Sequence, residues 1–557
     1  MKRALSILLC LMMVLALAAC GGSQPAATQP ASSGDTQSSA AAPEEKPADV
    51  TTGKDQNVVK TISEDETLTV AIEGEPPFIM PNSGSSGNPT SYVTNCMNEH
   101  LYEYDLDSGE ILPALAESLE WKDETHYWVT LRDGIKFANG DPITAEDVAY
   151  SMWLSCTLGG GSSVFDVDNI KAIDDKTVEI ALLEPYVNGA YEALVRRGGA
   201  VYSKKALEQL GYPDNQLLVP DPEVPIGSGK FVFKEWVPGQ YILLERNENY
   251  WDKDNMAYYK YMKFVFVTDA AARAMTVESG DADVASYITA SMGAQYEGSD
   301  TVTPYYLDTG LAGAVLLNPG NPDNPDSPLK DERVREAIWL LIDAQALNDL
   351  GNAGRGTPCE TMTSPRSWTY TKIDVDRTVN VERAKELLAE AGYPNGFELH
   401  TTNIAPYKAQ GEVIKECLRL GGINWDAELE EIPSHFAMIR TGKWDIIIRS
   451  YQASDYFDAI FNCDGRLSPQ SMVGRAAYTD EIVPGIFEMM DACYYQQDKE
   501  KEKEAMAAWQ QFSIDHHLCV GFCTTVRLEL CRKGLSAPIV NGSGTCYYQD
   551  IRPLADS

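Results

Sequence analysis

The first nineteen residues decide where the rest of this chain must fold. Lys2 and Arg3 form a short basic start, and an apolar run from Ala4 to Ala19 follows it. A bilayer-spanning helix needs about 20 apolar residues, so this run is too short to serve as one. It fits the central region of a secretory signal peptide, which assigns residues 1–19 to a removable leader. No later apolar stretch approaches transmembrane length. The folded part is therefore expected outside the cytoplasm.

The leader closes on Leu17-Ala18-Ala19-Cys20, followed by Gly21 and Gly22, and this looks like a bacterial lipobox. In such a motif the cysteine thiol receives a diacylglyceryl group and cleavage leaves Cys20 as the new N-terminus. Stable anchoring takes two lipid chains, and one diacylglyceryl group supplies both. From Gly21 to about Lys60, Ser, Ala, Thr, Gln, Pro and Gly dominate and aromatic residues are absent. Such a segment cannot bury enough apolar surface to offset its ordering entropy. Residues 20–60 are expected to be a lipidated tether that lets the folded part stand off the outer face of the cell membrane.

The remainder, from about Thr61 to Ser557, is long for one core and implies two or three packed subdomains. Its character is globular, since the chain is 44% hydrophobic and 23% charged. The formal net charge is −37, and the leader removes two positive charges with Lys2 and Arg3. That acidity argues against nucleic acid and against adsorption to anionic lipid. Twelve cysteines are present, and an exported protein normally oxidises such thiols. Their spacing is scattered, however, and Cys519 and Cys523 have no second pair to complete a zinc site. They read as small buried hydrophobes with a few disulfides.

Elements of both kinds alternate along the chain. Tyr127 to Phe137 reads as two strands about the Asp133-Gly134 turn, ending at Asn139-Gly140. Thr144-Ala-Glu-Asp147 is a capping box that opens a helix through Val148, Met152 and Trp153. Thr177 to Leu183 is a further strand, and Lys230 to Trp236 with Gln240 to Leu244 form a hairpin across Pro238-Gly239. Val334, Ile338 and Leu341 have helical spacing. The clearest helix is Val381 to Ala391, with Asn380 as N-cap, Gly392 as stop and Pro394 beyond. This mixture without a regular strand–helix repeat indicates an α/β or α+β architecture in more than one lobe.

Several long segments carry a resemblance that spacing alone does not. They are Pro113-Ala-Leu-Ala-Glu-Ser-Leu-Glu-Trp121 and Leu131-Arg-Asp-Gly-Ile-Lys-Phe-Ala-Asn-Gly-Asp-Pro-Ile-Thr-Ala-Glu-Asp-Val148. Pro225-Ile-Gly-Ser-Gly-Lys-Phe231, Phe233 to Tyr241 and Glu245-Arg-Asn-Glu-Asn-Tyr-Trp251 follow. Asp331 to Ile338 with Ile342-Asp343, and then Ala384 to Phe397, complete the order. Together they resemble the family 5 solute-binding proteins of ABC importers, which include peptide-, dipeptide- and nickel-binding components. The resemblance covers nearly the whole folded region.

What it implies is an α/β fold of two lobes, a periplasmic-binding-protein-like clamp (type II, cluster C) with an extra subdomain in the first lobe. The implied division is 61–310 for lobe I, 311–520 for lobe II and 521–557 for a C-terminal return to lobe I. The two crossings are expected near Leu311 to Leu317 and near Val520 to Val526, both apolar and β-prone. The implied function is extracellular capture of a peptide by hinge closure and its delivery to membrane permease subunits, with no catalysis and no cofactor. A monomer is expected. The same scaffold binding an oligosaccharide or a nickel chelate, or serving as a ligand sensor, is the alternative.

Implied ligand contacts follow residue by residue. In peptide-binding relatives an apolar strand leads through a Trp to an Asp that holds the peptide ammonium. Ile447 to Asp458 matches that stretch, with Asp455 at the carboxylate position and Tyr451 where Trp is usual. A buried ammonium requires a fixed anion. Gly354 to Trp368 resembles the family's Gly- and Pro-rich cleft loop, which offers Trp368 and Tyr370 as packing surfaces and Arg355 and Arg366 as partners for a ligand carboxylate. Tyr92 falls where first-lobe contacts lie. Gly227 to Gly229 reads as backbone geometry near the cleft, with no P-loop Lys spacing after it. Enzyme motifs are missing: there is no His-Glu-x-x-His, no Gly-x-Ser-x-Gly elbow and no dinucleotide fingerprint. A glycosidase-like carboxylate pair is the one enzymatic reading that counting leaves open.

Overall fold

Thr67-Leu-Thr-Val-Ala-Ile72 buries Leu68, Val70 and Ile72 on one face, and its other face goes from exposed Thr67 through half-buried Thr69 to buried Ala71. Such a run suits the middle of a parallel arrangement. In the computed structural model it lies parallel to Tyr261–Phe266 on one side and to Val284–Ile288 on the other. The structure describes residues 50–54, 56–80, 88–158, 165–183, 194–195, 199–215, 217–453, 460, 463–464, 466, 476–494, 496 and 498–555. The leader, Cys20, most of the tether and Asp455 lie outside these.

Among the described residues, the main sheet runs in the order Val50–Thr51, Val302–Leu317, Cys519–Arg532, Val284–Ile288, Thr67–Ile72, Tyr261–Phe266, Tyr241–Arg246 and Phe231–Val237. The outer hairpin 231–246 forms as the sequence implies, with Ile242, Leu244 and Arg246 inward and the residues between them half-buried. Its turn needs Gly239, at φ +71° with open space around it.

Two long antiparallel strands, Val302–Leu317 and Cys519–Arg532, organise the rest. Their first section pairs Val302 with Arg532 through to Asp308 with Val526. The ladder then breaks, and it resumes from Ala312 with Thr524 to Leu316 with Cys519. Beyond the break Ile446–Tyr451 joins the free edge of Val302–Leu317, pairing Ala312 with Tyr451 and Leu317 with Ile446. The two sections also serve different cores. Leu307 and Cys531 pack with Leu68, Val70 and Tyr92, while Tyr306 and Leu528 pack with Ala274 and Val277. Past the break, Ala314 and Leu316 join Trp444 and Trp509, and Val315 and Leu317 join Ile338, Leu388 and Trp425. Each fully buried Leu or Ile here contributes about 1.5–3 kcal/mol.

A separate four-stranded sheet, Ala116–Trp121, His126–Leu131, Thr177–Ala181 and Lys171–Ala172, carries its own core of Tyr127, Val129, Phe137, Val148 and Ile180. Helix Ala145–Leu158 closes it and starts at the expected box: the Thr144 hydroxyl donates to Asp147 Oδ2 at 2.7 Å, and the Asp147 N–H donates to Thr144 Oγ1 at 3.4 Å. Helix Val381–Glu390 is capped by Asn380, whose side chain accepts from the Arg383 N–H. None of the ten cysteines from Cys96 to Cys546 forms a disulfide, and nine of them are buried. The expected small buried hydrophobes are there, Cys96, Cys531 and Cys546 sharing one core and Cys463, Cys493 and Cys519 another, while the expected disulfides are not formed.

Helix Asn88–Met97 ends against Gly227 and Gly229, where an added Cβ would meet the Met97 carbonyl oxygen at 2.1 Å and its carbon at 2.5 Å. Just beyond it, Glu99 accepts from the Tyr250 hydroxyl at 2.8 Å and stands near Glu103 and Lys230. Burial, reinforced by Glu103, raises the Glu99 carboxyl from 4.5 to about 8. Between those values the folded chain holds a proton that the unfolded chain has lost, so stability falls as pH rises through this window. The melting temperature is expected to drop by a few degrees between pH 5 and pH 8.5, on a scale of about 2 °C per kcal/mol in a domain this size. Glu99→Gln should flatten that slope. An unchanged slope in the variant would assign the pH dependence to other groups.

Candidate ligand-binding site

In open sheets with parallel strands, ligands lie beyond the carboxyl ends. Here the three parallel strands 67–72, 261–266 and 284–288 end together and present Glu73, Val267, Thr268 and Tyr287. Buried Arg273 ties these ends down. Its guanidinium donates to the Ser286 carbonyl at 2.7 Å, Val267 at 2.6 Å, Thr268 at 2.9 Å and Tyr287 at 2.9 Å. The second section of the long strands and Ile446–Tyr451 lie beyond the same ends. At the close of that strand the Tyr407 hydroxyl donates to Ser450 Oγ at 3.2 Å.

A polar network fills the floor behind Tyr287. Glu73 is half-buried and accepts from the Tyr92 hydroxyl at 3.1 Å and from the Ser286 hydroxyl at 2.9 Å. Arg527, 2% exposed, donates to the Tyr92 hydroxyl at 2.6 Å and the Tyr548 hydroxyl at 3.1 Å, and pairs through Nε with Glu529. Glu529 also accepts from the Tyr548 hydroxyl at 3.0 Å and from the Tyr287 N–H at 2.9 Å. Burial raises the Glu529 carboxyl, with Arg527 opposing that shift. Burial likewise pushes the Tyr92 and Tyr548 phenols well up, so both stay protonated donors. The result is a rigid, hydrogen-bonded wall with Tyr287 as its exposed member.

The residues expected from sequence divide between several places. Tyr92 belongs to the wall and is fully buried. Arg366 donates through Nε to Asp308 Oδ2 at 2.8 Å, at the break in the long ladder, and its carbonyl accepts from the Tyr104 hydroxyl at 3.0 Å. Gly310 packs beside Arg366, Leu106 and Ala453, and a Cβ there would meet Leu106 at 2.6 Å. Arg366 and the chain two residues past Tyr451 thus meet at that break. Trp368 is half-buried, with the Lys499 ammonium 5.0 Å from its ring centroid and Lys499 paired to Glu110 at 3.3 Å. The Tyr370 hydroxyl donates to Glu360 at 3.0 Å. Tyr451 is buried in the core of Trp444 and Trp509, and the Arg449 guanidinium lies 5.7 Å from its ring centroid. Arg355 stands apart: it donates to Glu297 at 2.8 Å and its guanidinium lies 3.8 Å from the Tyr306 ring centroid.

Glu73, Tyr287, Tyr407, Arg527 and Glu529 are site residues that the sequence reading passes over. Arg527 and Glu529 carried a signal, since Val526-Arg-Leu-Glu-Leu530 places two opposite charges on one face of an apolar strand. Buried charges in such a place are normally paired.

Residues 110–472 match the family model described as bacterial extracellular solute-binding proteins, family 5, middle. The chain is 25% identical over 474 residues to the oligopeptide-binding protein AppA of Bacillus subtilis (strain 168), covering 80% of this chain and 85% of that protein. It is 25% identical over 403 residues to the nickel-binding periplasmic protein of Escherichia coli (strain K12), covering 66% and 74%. Among solved structures, AppA from Bacillus subtilis in complex with a nonapeptide superposes with a TM-score of 0.69 at 20% identity, over 88% of this chain and 100% of that one. NikA from Brucella suis in complex with Fe(III)-EDTA gives 0.72 at 18% identity, over 88% and 100%. The fold is thus that of the periplasmic binding proteins. No helix among the described residues is long and apolar enough to cross a membrane.

Proposed function

The chain belongs to the bacterial extracellular solute-binding proteins of family 5, and from that premise we propose that it is the lipid-anchored receptor of an ABC importer that captures a peptide by hinge closure. Cys20 carries the anchor and residues 20–49 the tether; the expected end at residue 60 is too late, because Val50–Thr51 pairs with Tyr306–Leu307 in the main sheet and the Val59 N–H donates to the Pro553 carbonyl at 2.9 Å. Residues 50–310 with the stretch after Thr525 form one lobe and 311–524 the other, the expected boundary at 520 moving to the ladder break because Phe522 and Cys523 pack with Ile338 and Trp425. The observation that carries the closure reading is the pair of long strands, which pass from one set of cores to another across a ladder break between Asp308–Val526 and Ala312–Thr524. Few residues need to change conformation there, while both cores stay rigid. Ligand that touches both lobes stabilises the closed form by its differential affinity for it, and the permease subunits then read closure.

Peptide is the ligand class favoured by the likeness to the oligopeptide-binding protein AppA, whose solved structure holds a nonapeptide. In this reading Asp455 holds the peptide ammonium, while Tyr451, Trp368, Tyr370 and Tyr92 shape the surrounding walls. Arg355 and Arg366 serve a ligand carboxylate only by sharing or leaving Glu297 and Asp308, their present partners. The mature protein is to be screened by thermal shift against peptides of two to eight residues, oligosaccharides and nickel chelates. Peptide at 100 times its Kd adds about 2.7 kcal/mol to stability. Asp455→Ala should then cost about 1.5–3 kcal/mol of binding, a charge-assisted hydrogen bond, or at least tenfold in Kd. A shift with sugars or chelates alone would replace peptide as the ligand class and remove the role of Asp455.

A further inference from the structure

Tyr287 combines features that no core-packing role requires. It adopts φ +50°, a left-handed backbone that non-glycine residues avoid. It does so at the point where the pairing of Val284–Ile288 with Cys519–Arg532 shifts register between Ala285 and Ile288. The conformation is over-determined by its surroundings: Arg273 holds the carbonyls on both sides of the bend, and Glu529 accepts the Tyr287 N–H. Strain that is held this firmly marks positions whose side chain must point somewhere specific. The residue so placed is 41% exposed, although its neighbours Ser286 and Ile288 are buried. Its ring lies 4.9 Å from the Arg527 guanidinium, which occupies one face. Tyr287 is still closely surrounded, and burial with the nearby Tyr407 phenol pushes its pKa upward. Tyr287 is thus an exposed aromatic at the carboxyl ends of the parallel strands, with one ring face taken by Arg527.

We propose that Tyr287 is a specificity-determining ligand contact, whose open ring face packs on an uncharged part of a bound peptide, an apolar side chain or a peptide plane. This rests on the peptide-receptor reading above and deepens it. The Arg527 cation already engages the electron-rich π system from one side, so a second cation on the opposite face would gain less than a neutral flat or apolar group. Arg273, Glu529 and the Ser286–Glu73 contact hold the ring ready, so little ordering cost remains when ligand arrives.

The test compares the wild-type protein with Tyr287→Gly and Tyr287→Phe, using tryptone peptides as probe. Retained peptides are read by native mass spectrometry, their Kd by calorimetry, and the ligand-free melting temperature alongside. The expected result is that Tyr287→Gly weakens peptide binding at least tenfold while its ligand-free melting temperature holds or rises, because glycine accepts the left-handed backbone. Tyr287→Phe should bind within about threefold of wild type by keeping the ring face. Equal Kd for Tyr287→Gly and wild type would overturn the inference and leave the receptor reading intact. A lowered ligand-free melting temperature in Tyr287→Gly would overturn it too, by assigning the ring to packing. A wild-type protein that retains no peptide would overturn both readings.

Discussion

Replacing Arg527 with methionine is expected to remove about 3–5 kcal/mol of unfolding free energy, the cost of stranding a charge inside a protein. Arg527 and Glu529 have side chains 1% and 0% exposed and pair through Nε and Oε1. Methionine fills much of the volume but supplies no donor. Glu529 would keep the Tyr548 hydroxyl, the Tyr287 N–H and the Cys546 thiol but lose its counter-charge, and the Tyr92 and Tyr548 hydroxyls would lose the guanidinium they accept from. The asymmetry of buried pairs gives a second arm. In Arg527→Met with Glu529→Gln no uncompensated charge remains, so the double variant should recover a substantial part of the loss. Urea denaturation of the wild type and the two variants at pH 7 measures this. A single-variant loss below about 1 kcal/mol would mean that water reaches the pair and that the wall behind Tyr287 is not rigid.

What could be read from the sequence was local chemistry, and the reasons are visible residue by residue. Asn380 and Gly392 bracket a helix because a side-chain acceptor and a left-handed stop act within a few residues, and Gly392 takes φ +96° as expected. The hairpin 231–246 needed only alternation and Pro238-Gly239. The second strand expected after the Asp133-Gly134 turn does not form. Ile135 and Phe137 do go inward, but beyond Leu131 the chain makes only a lone bridge from Lys136 to Pro142, and proline has no N–H with which to extend a ladder. The long strands were legible only where they are apolar. Asp308 and Thr309 interrupt the pattern at the ladder break, and each is satisfied by a partner far away in sequence, Arg366 and the Thr525 carbonyl.

The candidate site was harder to read because its residues are united by tertiary contact. Arg355 and Arg366 look equivalent in a Gly- and Pro-rich loop, yet one reaches Glu297 and the other Asp308. Nothing within the loop selects those anions. Tyr287 sits in an ordinary β-prone run, and its left-handed backbone is imposed by Arg273 and Glu529, fourteen and 242 residues away. Tyr92 was drawn from its position in a resemblance, and what it touches, Glu73 and Arg527, could come only from the fold.

Gly521→Val is expected to destabilise the protein by about 3 kcal/mol, the upper range for overpacking, because its neighbours cannot yield. A Cβ at Gly521 would stand 2.5 Å from the Glu360 carbonyl carbon, 2.6 Å from the Thr361 nitrogen and 2.7 Å from the Thr361 oxygen. All three are backbone atoms, so no rotamer change relieves the contact. The same glycine's carbonyl accepts from Arg377 Nη1 at 2.9 Å, and its register partner is Ala314 on the other long strand. The loop 357–361 is bound to this strand as well, since the Thr524 N–H donates to the Thr357 carbonyl at 2.7 Å and the Cys359 N–H to the Phe522 carbonyl at 3.3 Å. Valine must therefore push apart two segments tied together on either side of it. Gly74→Ala is the control: it has no left-handed φ, and the nearest atom to an added Cβ is Pro89 Cγ at 4.0 Å, so it should stay within about 0.5 kcal/mol of wild type. Thermal and urea unfolding of both variants decide the matter. If Gly521→Val costs less than about 1 kcal/mol, loop and strand separate easily, and the crossing strands are too loosely held to act as the fixed axis of closure.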